Sequence, residues 1–265
     1  MEFLKSRRRK GLALILSASC AYGQPSDWDA FVARVRAAAL AYDGQLADFL
    51  CIQTTRRSAD NSGSGKHWKL LETQVVEVAY VGHREKYRLI SVNGKDKAPD
   101  KAVKRGYFTP GGEFGSFLKR IFEPRANAQF SWDHEEFPGG KRVCVFRYQV
   151  ARSSTTMVMQ ADLDNVPLAH HGVVYVECDT GAVLRFQTES EEASVQRNGR
   201  AVAVGQKCDV RYVPAKIGGK EFLLPQTADE IAIFGKGLTR AEISFDRYRK
   251  YEASSTITFD DPPKP

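Results

Sequence analysis

Apolar positions along this chain change their spacing several times, and each change marks an element. From Trp28 onward, Phe31, Val35, Ala39, Tyr42 and Leu46 recur at the spacing that lines one face of a helix. Ser26 and Asp29 form an S-x-x-D start signal and Asp43-Gly44 marks the end, so an amphipathic first helix is predicted. From Phe49 the period falls to two. CIQTTRR, HWKLLETQVVEVAYVG and REKYRLISVNGK alternate between Gly, Asn and Asp clusters, which predicts an antiparallel meander.

The segment TPGGEFGSFLKRIFEP breaks this pattern, because Phe114, Phe117, Leu118, Ile121 and Phe122 again fall at helical spacing until Pro124 stops it. Strands resume with AQFSWDHEEF, KRVCVFRYQVA and TTMVMQADL. A hairpin is predicted to turn at Asp179-Thr180-Gly181 and another at Gly218-Gly219, and AEISFDRYRKYEASSTITF closes the series. Nine to eleven strands and two helices make an α+β fold, with one large, curved antiparallel sheet and both helices on its concave face. Trp68, Leu70, Val76, Val78 and Tyr80 share one parity of their segment, as do Cys144, Phe146 and Tyr148 of theirs. These positions are predicted to face the helices.

The ends read differently. MEFLKSRRRK is basic, GLALILSASCAYG is apolar but shorter than the ~20 residues that span a bilayer, and Ala21-Tyr22-Gly23 is a plausible cleavage site. Residues 1–23 are therefore read as a signal peptide, 24–260 as a single domain and 261–265 as a flexible tail, with a periplasmic or extracellular destination. A lipid tether at Cys20 is the competing reading, but Ser17 stands where lipoprotein processing favours a large aliphatic residue. Lys5, Arg7, Arg8, Arg9 and Lys10 against Glu2 carry +4 of the formal +7, leaving +3, which is not the charge of a nucleic-acid binder. No transmembrane span is expected in the mature chain.

Candidate chemistry is sparse. Gly63-Ser64-Gly65-Lys66 lacks the glycine and the hydroxyl of a phosphate loop, since Asp60 and His67 hold those places, and it reads as a turn. Gly111-Gly112-Glu113 reads as a hinge into the second helix. His67, His83, His134, His170 and His171 lack metal-binding spacing and are expected at the surface, with His170 and His171 on opposite faces. No catalytic residue, metal site or cofactor is assigned, and no G-x-S-x-G elbow occurs. Cys51, Cys144, Cys178 and Cys208 allow three disulfide connectivities or four buried thiols. The aromatic and aliphatic content of the strands and second helix forms either an ordinary core or an apolar cavity. A cavity would be lined by Trp68, Val78, Tyr80, Phe114, Phe117, Leu118, Phe146, Tyr148 and Phe186.

The order of leader, long helix, meander, greasy helix and paired hairpins such as VVYVECDTGAVLRF and IGGKEFLLPQ resembles the LolA/LolB-like superfamily, which includes lipoprotein carriers and RseB-like sensors. FLCIQTTRR-like and GEFGSFLKRIFEP-like segments are also shared with uncharacterised bacterial exported proteins. The resemblance implies an unclosed antiparallel β-barrel whose helices form a lid over an apolar cavity. It implies a non-enzymatic envelope protein that binds a lipid, an acyl chain or a lipidated segment. A periplasmic protein-interaction or stress-sensing module, with an envelope protein as partner, is the alternative, and a secreted hydrolase without a motif is a third reading.

Overall fold

The computed structural model describes residues 25–96, 112–161, 164–197 and 199–252. The expected leader with Cys20, the tail 261–265, Gly111 and the end of the last predicted strand lie outside these residues.

Helix α1 spans Trp28–Gln45. Its cap is Asp27, one residue after the expected Ser26, because the Asp27 carboxylate accepts the Ala30 N–H at 2.9 Å. Phe31, Val35 and Ala39 form its buried stripe, as their spacing predicts. Strands β1 (Phe49–Asp60), β2 (Lys69–Val81), β3 (Arg84–Val92) and the short β4 (Lys95–Asp96) form the meander. Helix α2 covers Ser116–Phe122 and buries Phe117, Leu118, Ile121 and Phe122. It ends at Glu123, where Pro124 begins a short 3₁₀ turn.

The remaining strands are β5 (Gln129–Glu136), β6 (Val143–Val150), β7 (Val158–Ala161), β8 (Asp164–Pro167), β9 (His170–Glu177), β10 (Val183–Ser190), β11 (Ala193–Arg197), β12 (Arg200–Ile217), β13 (Lys220–Phe234) and β14 (Gly237–Lys250). Fourteen strands thus occur among the described residues, more than expected, because β4, β8 and β11 are too short to leave a clear period. The β12–β13 turn sits at Gly218-Gly219 as predicted. Both glycines have positive φ, 55° and 84°, the backbone that a two-residue turn needs to match strand twist.

Twelve strands make one antiparallel sheet in the order β4-β3-β2-β1-β14-β13-β12-β10-β9-β6-β5, with β11 added beside β12. Its edges, β4 and β5, do not pair with each other, so the sheet is curved but unclosed. Strands β7 and β8 form a separate hairpin over a small apolar cluster of Met157, Leu168, Ala193, Val195 and Val204. The main core lies between the inner face of the large sheet and the two helices. No helix among the described residues is long and apolar enough to cross a membrane.

One parity assignment fails. The β1–β2 register steps from Arg57↔Glu72 to Ser58↔Leu70, so Leu71 is an extra residue. A bulge of one residue flips everything beyond it to the opposite face. Val76, Val78 and Tyr80 face the helices, whereas Leu70 is 48% exposed and Trp68 precedes the strand on the outer side.

Candidate functional site

Eight of the nine predicted lining residues come together in one cluster. Val78, Tyr80, Phe114, Phe117, Leu118, Phe146, Tyr148 and Phe186 belong to the main core, and none is more than 3% exposed. Phe117 of α2 packs on Phe186 of β10, ring centroids 5.6 Å apart. Phe114, in the approach to α2, lies 5.2 Å from Phe49 and 5.9 Å from Tyr80. Trp28 and Phe31 of α1 meet Phe146 of β6 edge-on at 5.9 and 6.0 Å. These side chains pack against one another between the helices and the inner face of the sheet.

Polar links fasten the helices to the sheet. Tyr42 donates to the Leu223 carbonyl at 3.0 Å and Tyr80 to the Asp43 carbonyl at 3.2 Å, and Lys119 of α2 pairs with Asp43 of α1 at 2.5 Å, joining the helices to each other. Burial raises the Tyr42 phenol well above its usual range and pushes Tyr80 up to about 12.

Trp68 is the exception. It is held outside the core by its indole N–H, which donates to the Gly65 carbonyl at 2.9 Å, and Arg240 lies 5.9 Å from its ring. The two line an outer groove of about 680 Å³ with Ile231, Ile233 and Leu238. Beside it, Asp60 organises the Gly63-Ser64-Gly65-Lys66 turn by accepting from Ser62, Ser64, Lys66 and His67. Its hydroxyl and amide donors hold the Asp60 carboxyl well below the usual carboxylate range.

A polar feature went unforeseen. On the inner face, Phe146, Val174, Phe186, Val210 and Ala228 are register partners across β6, β9, β10, β12 and β13. Two residues further along, the same five strands bring Tyr148, Gly172, Thr188, Cys208 and Glu230 into line. The Tyr148 ring lies over Gly172, 2.8 Å from where a Cβ would sit. The Cys208 Sγ lies 4.0 Å from Glu230 Oε1. Arg120 of α2 and Glu113 lie within electrostatic reach of Glu230 and Cys208.

Burial, with Glu113 nearby, raises the Glu230 carboxyl well above its usual range, and burial raises Glu113 to about 7. Tyr212 donates to the Glu113 carbonyl at 2.8 Å, which holds this residue inside. Glu113 Oε1 and His170 Nε2 are buried without a hydrogen-bond partner, and the buried hydroxyls of Tyr148 and Thr188 have only each other. His170, expected at the surface, is 1% exposed because its strand turns it inward while His171 points out. Burial lowers its imidazole to about 4. Alternation alone could have placed His170 inside, and the two-residue step from Phe186 to Thr188 could have placed Thr188 there.

Of the three disulfide pairings, the structure forms Cys144–Cys178 and leaves Cys51 and Cys208 as buried thiols. Glu135 lies close to the bonded sulfurs, but its carboxylate takes an Arg142 hydrogen bond at 2.5 Å and the sulfurs are consumed in the bond. Glu135, Cys144 and Cys178 therefore do not form a usable ligand set while the disulfide stands.

No family model matches this chain, and a search of the curated proteins finds no significant relative. Among solved structures, it is similar to the LolA superfamily protein NE2245 of Nitrosomonas europaea, at 10% identity and TM-score 0.36, over 84% of this chain and 94% of that one. A DUF1329 family protein of Desulfovibrio piger matches at 12% identity and TM-score 0.35, over 84% and 95% of the two chains. An outer membrane lipoprotein-sorting protein domain of Vibrio parahaemolyticus matches at 9% identity and TM-score 0.35, over 82% and 90%.

Proposed function

We propose that this protein is a non-enzymatic, exported envelope protein that binds an acyl chain, as part of a lipid or of a lipidated segment, between its helices and the inner face of its sheet. One observation carries the reading. The aromatic cluster lies between a sheet and two helices rather than between two sheets, so displacing the helices opens it while the strand ladder stays intact. Displaced helices would leave Phe117, Phe146 and Phe186 needing an apolar partner, and an acyl chain supplies one at roughly 25 cal/mol per Å² buried. The Cys144–Cys178 bond supports export, because such bonds persist in oxidising compartments.

The test is native mass spectrometry of protein exported by its host and purified without detergent, followed by organic extraction. A co-purifying mass identified as lipid is the expected result. A clean unliganded mass in repeated preparations, with no uptake of a fluorescent fatty acid, would overturn the reading and turn attention to protein partners.

A further inference from the structure

The outer face of the sheet, turned away from the helices, carries three depressions that join. One, of about 380 Å³, lies over β12, β13, β14 and β1, and another, of about 370 Å³, over β6, β9, β10, β12 and β13; the two share Asp209 and Asp229. The second also shares Lys207 and Ile231 with the Trp68 groove. Together they form one trough across seven strands, from Arg147 of β6 to Arg56 of β1, roughly 29 Å along the sheet at ordinary strand spacing. We propose that this trough binds a neutral, extended polysaccharide strand of β-1,4-linked sugars lying across the strands. The site is on the opposite face from the acyl-binding reading and stands independently of it.

Charge, hydroxyl groups and an aromatic ring select this ligand. Six cationic side chains and five carboxylates line the trough, and every one of those carboxylates but Glu192 is already paired. Lys207 meets Glu189 at 2.7 Å and Arg240 meets Asp229 at 2.5 Å. Such pairing leaves little field for an ionic guest, and it fixes planar donors and acceptors in place for the hydroxyls of a sugar. An acidic strand would also lie along Asp209, Asp229 and Glu242, which follow one another in register.

Beside these carboxylates, Thr227, Ser244 and Thr54 are register partners on β13, β14 and β1, a row of hydroxyls with Arg211 at its end. Arg56 and Arg211 are exposed and make no ion pair among the described residues, so their donors are open to a ligand. At the other side, Trp68 with Ile231, Ile233 and Leu238 offers the apolar surface on which the C–H face of a pyranose ring rests. The Trp68 ring is fixed in advance by its bond to the Gly65 carbonyl, and its turn sits so close to the β13–β14 turn that a Cβ on Gly63 would come within 2.2 Å of the Lys236 carbonyl oxygen. Binding therefore orders little that is not already ordered. Neighbouring strands lie about 4.8 Å apart, close to the length of one sugar in an extended β-1,4-linked chain, so such a chain presents about one ring to each strand.

The experiment titrates cellobiose and cellohexaose into the whole protein by calorimetry. The hexamer is expected to bind about tenfold more tightly or better, the difference that one further hydrogen bond and a stacked ring make. Trp68→Ala should weaken the hexamer about tenfold at an unchanged urea midpoint, because the ring lies outside the core. Arg211→Gln, at an exposed strand position, should weaken it too and decides the matter should Trp68→Ala disturb its turn. Failure of the hexamer to bind, or equal affinity for the two sugars, would overturn the site. Tighter, salt-sensitive binding of the corresponding uronic-acid hexamer would overturn the neutral ligand. Uptake of a fluorescent fatty acid by the same preparation reports the inner face, so either reading can fail alone.

Discussion

Gly181, in the β9–β10 turn, lies directly against Val35 of α1: a Cβ added to it would come within 3.1 Å of the Val35 Cα and 3.3 Å of the Arg34 carbonyl carbon. Its φ of 75° is also one that side-chain-bearing residues avoid. The turn is therefore a seat for the helix. Gly181→Ala should lose about 1–3 kcal/mol from strain and overpacking, seen as a lower urea midpoint at unchanged slope. An unchanged midpoint would show that α1 does not rest there.

Phe117→Ala removes the ring that joins α2 to Phe186. The expected cost is about 3–5 kcal/mol, with a gain in dye-accessible apolar surface as α2 loosens. Far-ultraviolet circular dichroism should keep its strand signal. Loss of that signal would mean that the helices and the sheet do not separate as independent parts.

Replacing Cys144 and Cys178 with serine opens a loop of 34 residues in sequence. The loss should be about 3–4 kcal/mol, by the usual loop-length dependence. Thiol labelling with peptide mapping should find Cys51 and Cys208 inert in the native protein and reactive in denaturant, because burial raises both thiols above their usual range. Native-state labelling of Cys208 would contradict its place in the polar row.

Glu113 supplies a pH signature. Its carboxyl is raised from 4.5 to about 7 in the fold, so the folded state holds the proton more tightly than the unfolded chain. Its contribution to stability is full below about 4.5 and falls as the pH rises to about 7. His170 runs the other way. It is lowered from 6.5 to about 4, and its contribution is lost as the pH falls through that window. The two slopes oppose each other in the unaltered protein, so the difference against a variant is the informative quantity. Glu113→Gln should stabilise at pH 8 relative to pH 4.5 by a few kcal/mol at most, on the order of the shift. A pH-independent difference would remove Glu113 from the buried set.

Much of this fold was legible in the residues. Helical spacing in Phe31–Val35–Ala39 and in Phe117–Ile121, alternation through Val76–Val78–Tyr80, and the glycine pair at 218–219 each follow from local geometry. Trp68 was misplaced because the extra residue at Leu71 reverses parity, and nothing in HWKLLETQ marks where a bulge falls. The polar row escaped notice for a different reason. Thr188, Cys208 and Glu230 are far apart in the chain and become neighbours only through strand order, which alternation does not encode. The disulfide likewise depends on β6 lying beside β9.

The first and last strands of the described residues meet inside the sheet: β1 pairs with β14 from Phe49↔Lys250 to Asp60↔Leu238, and the Tyr251 N–H donates to the Asp48 carbonyl at 3.1 Å. A nascent chain can assemble the β1–β3 meander early, but one side of β1 stays unpaired until β14 has been made. Pairings of such sequence separation fold slowly, on the millisecond-to-second scale, and a chain cut before Gly237 would hold two half-sheets with bare edges where the centre should be. Protection of the bare edge of β1 therefore waits on β14.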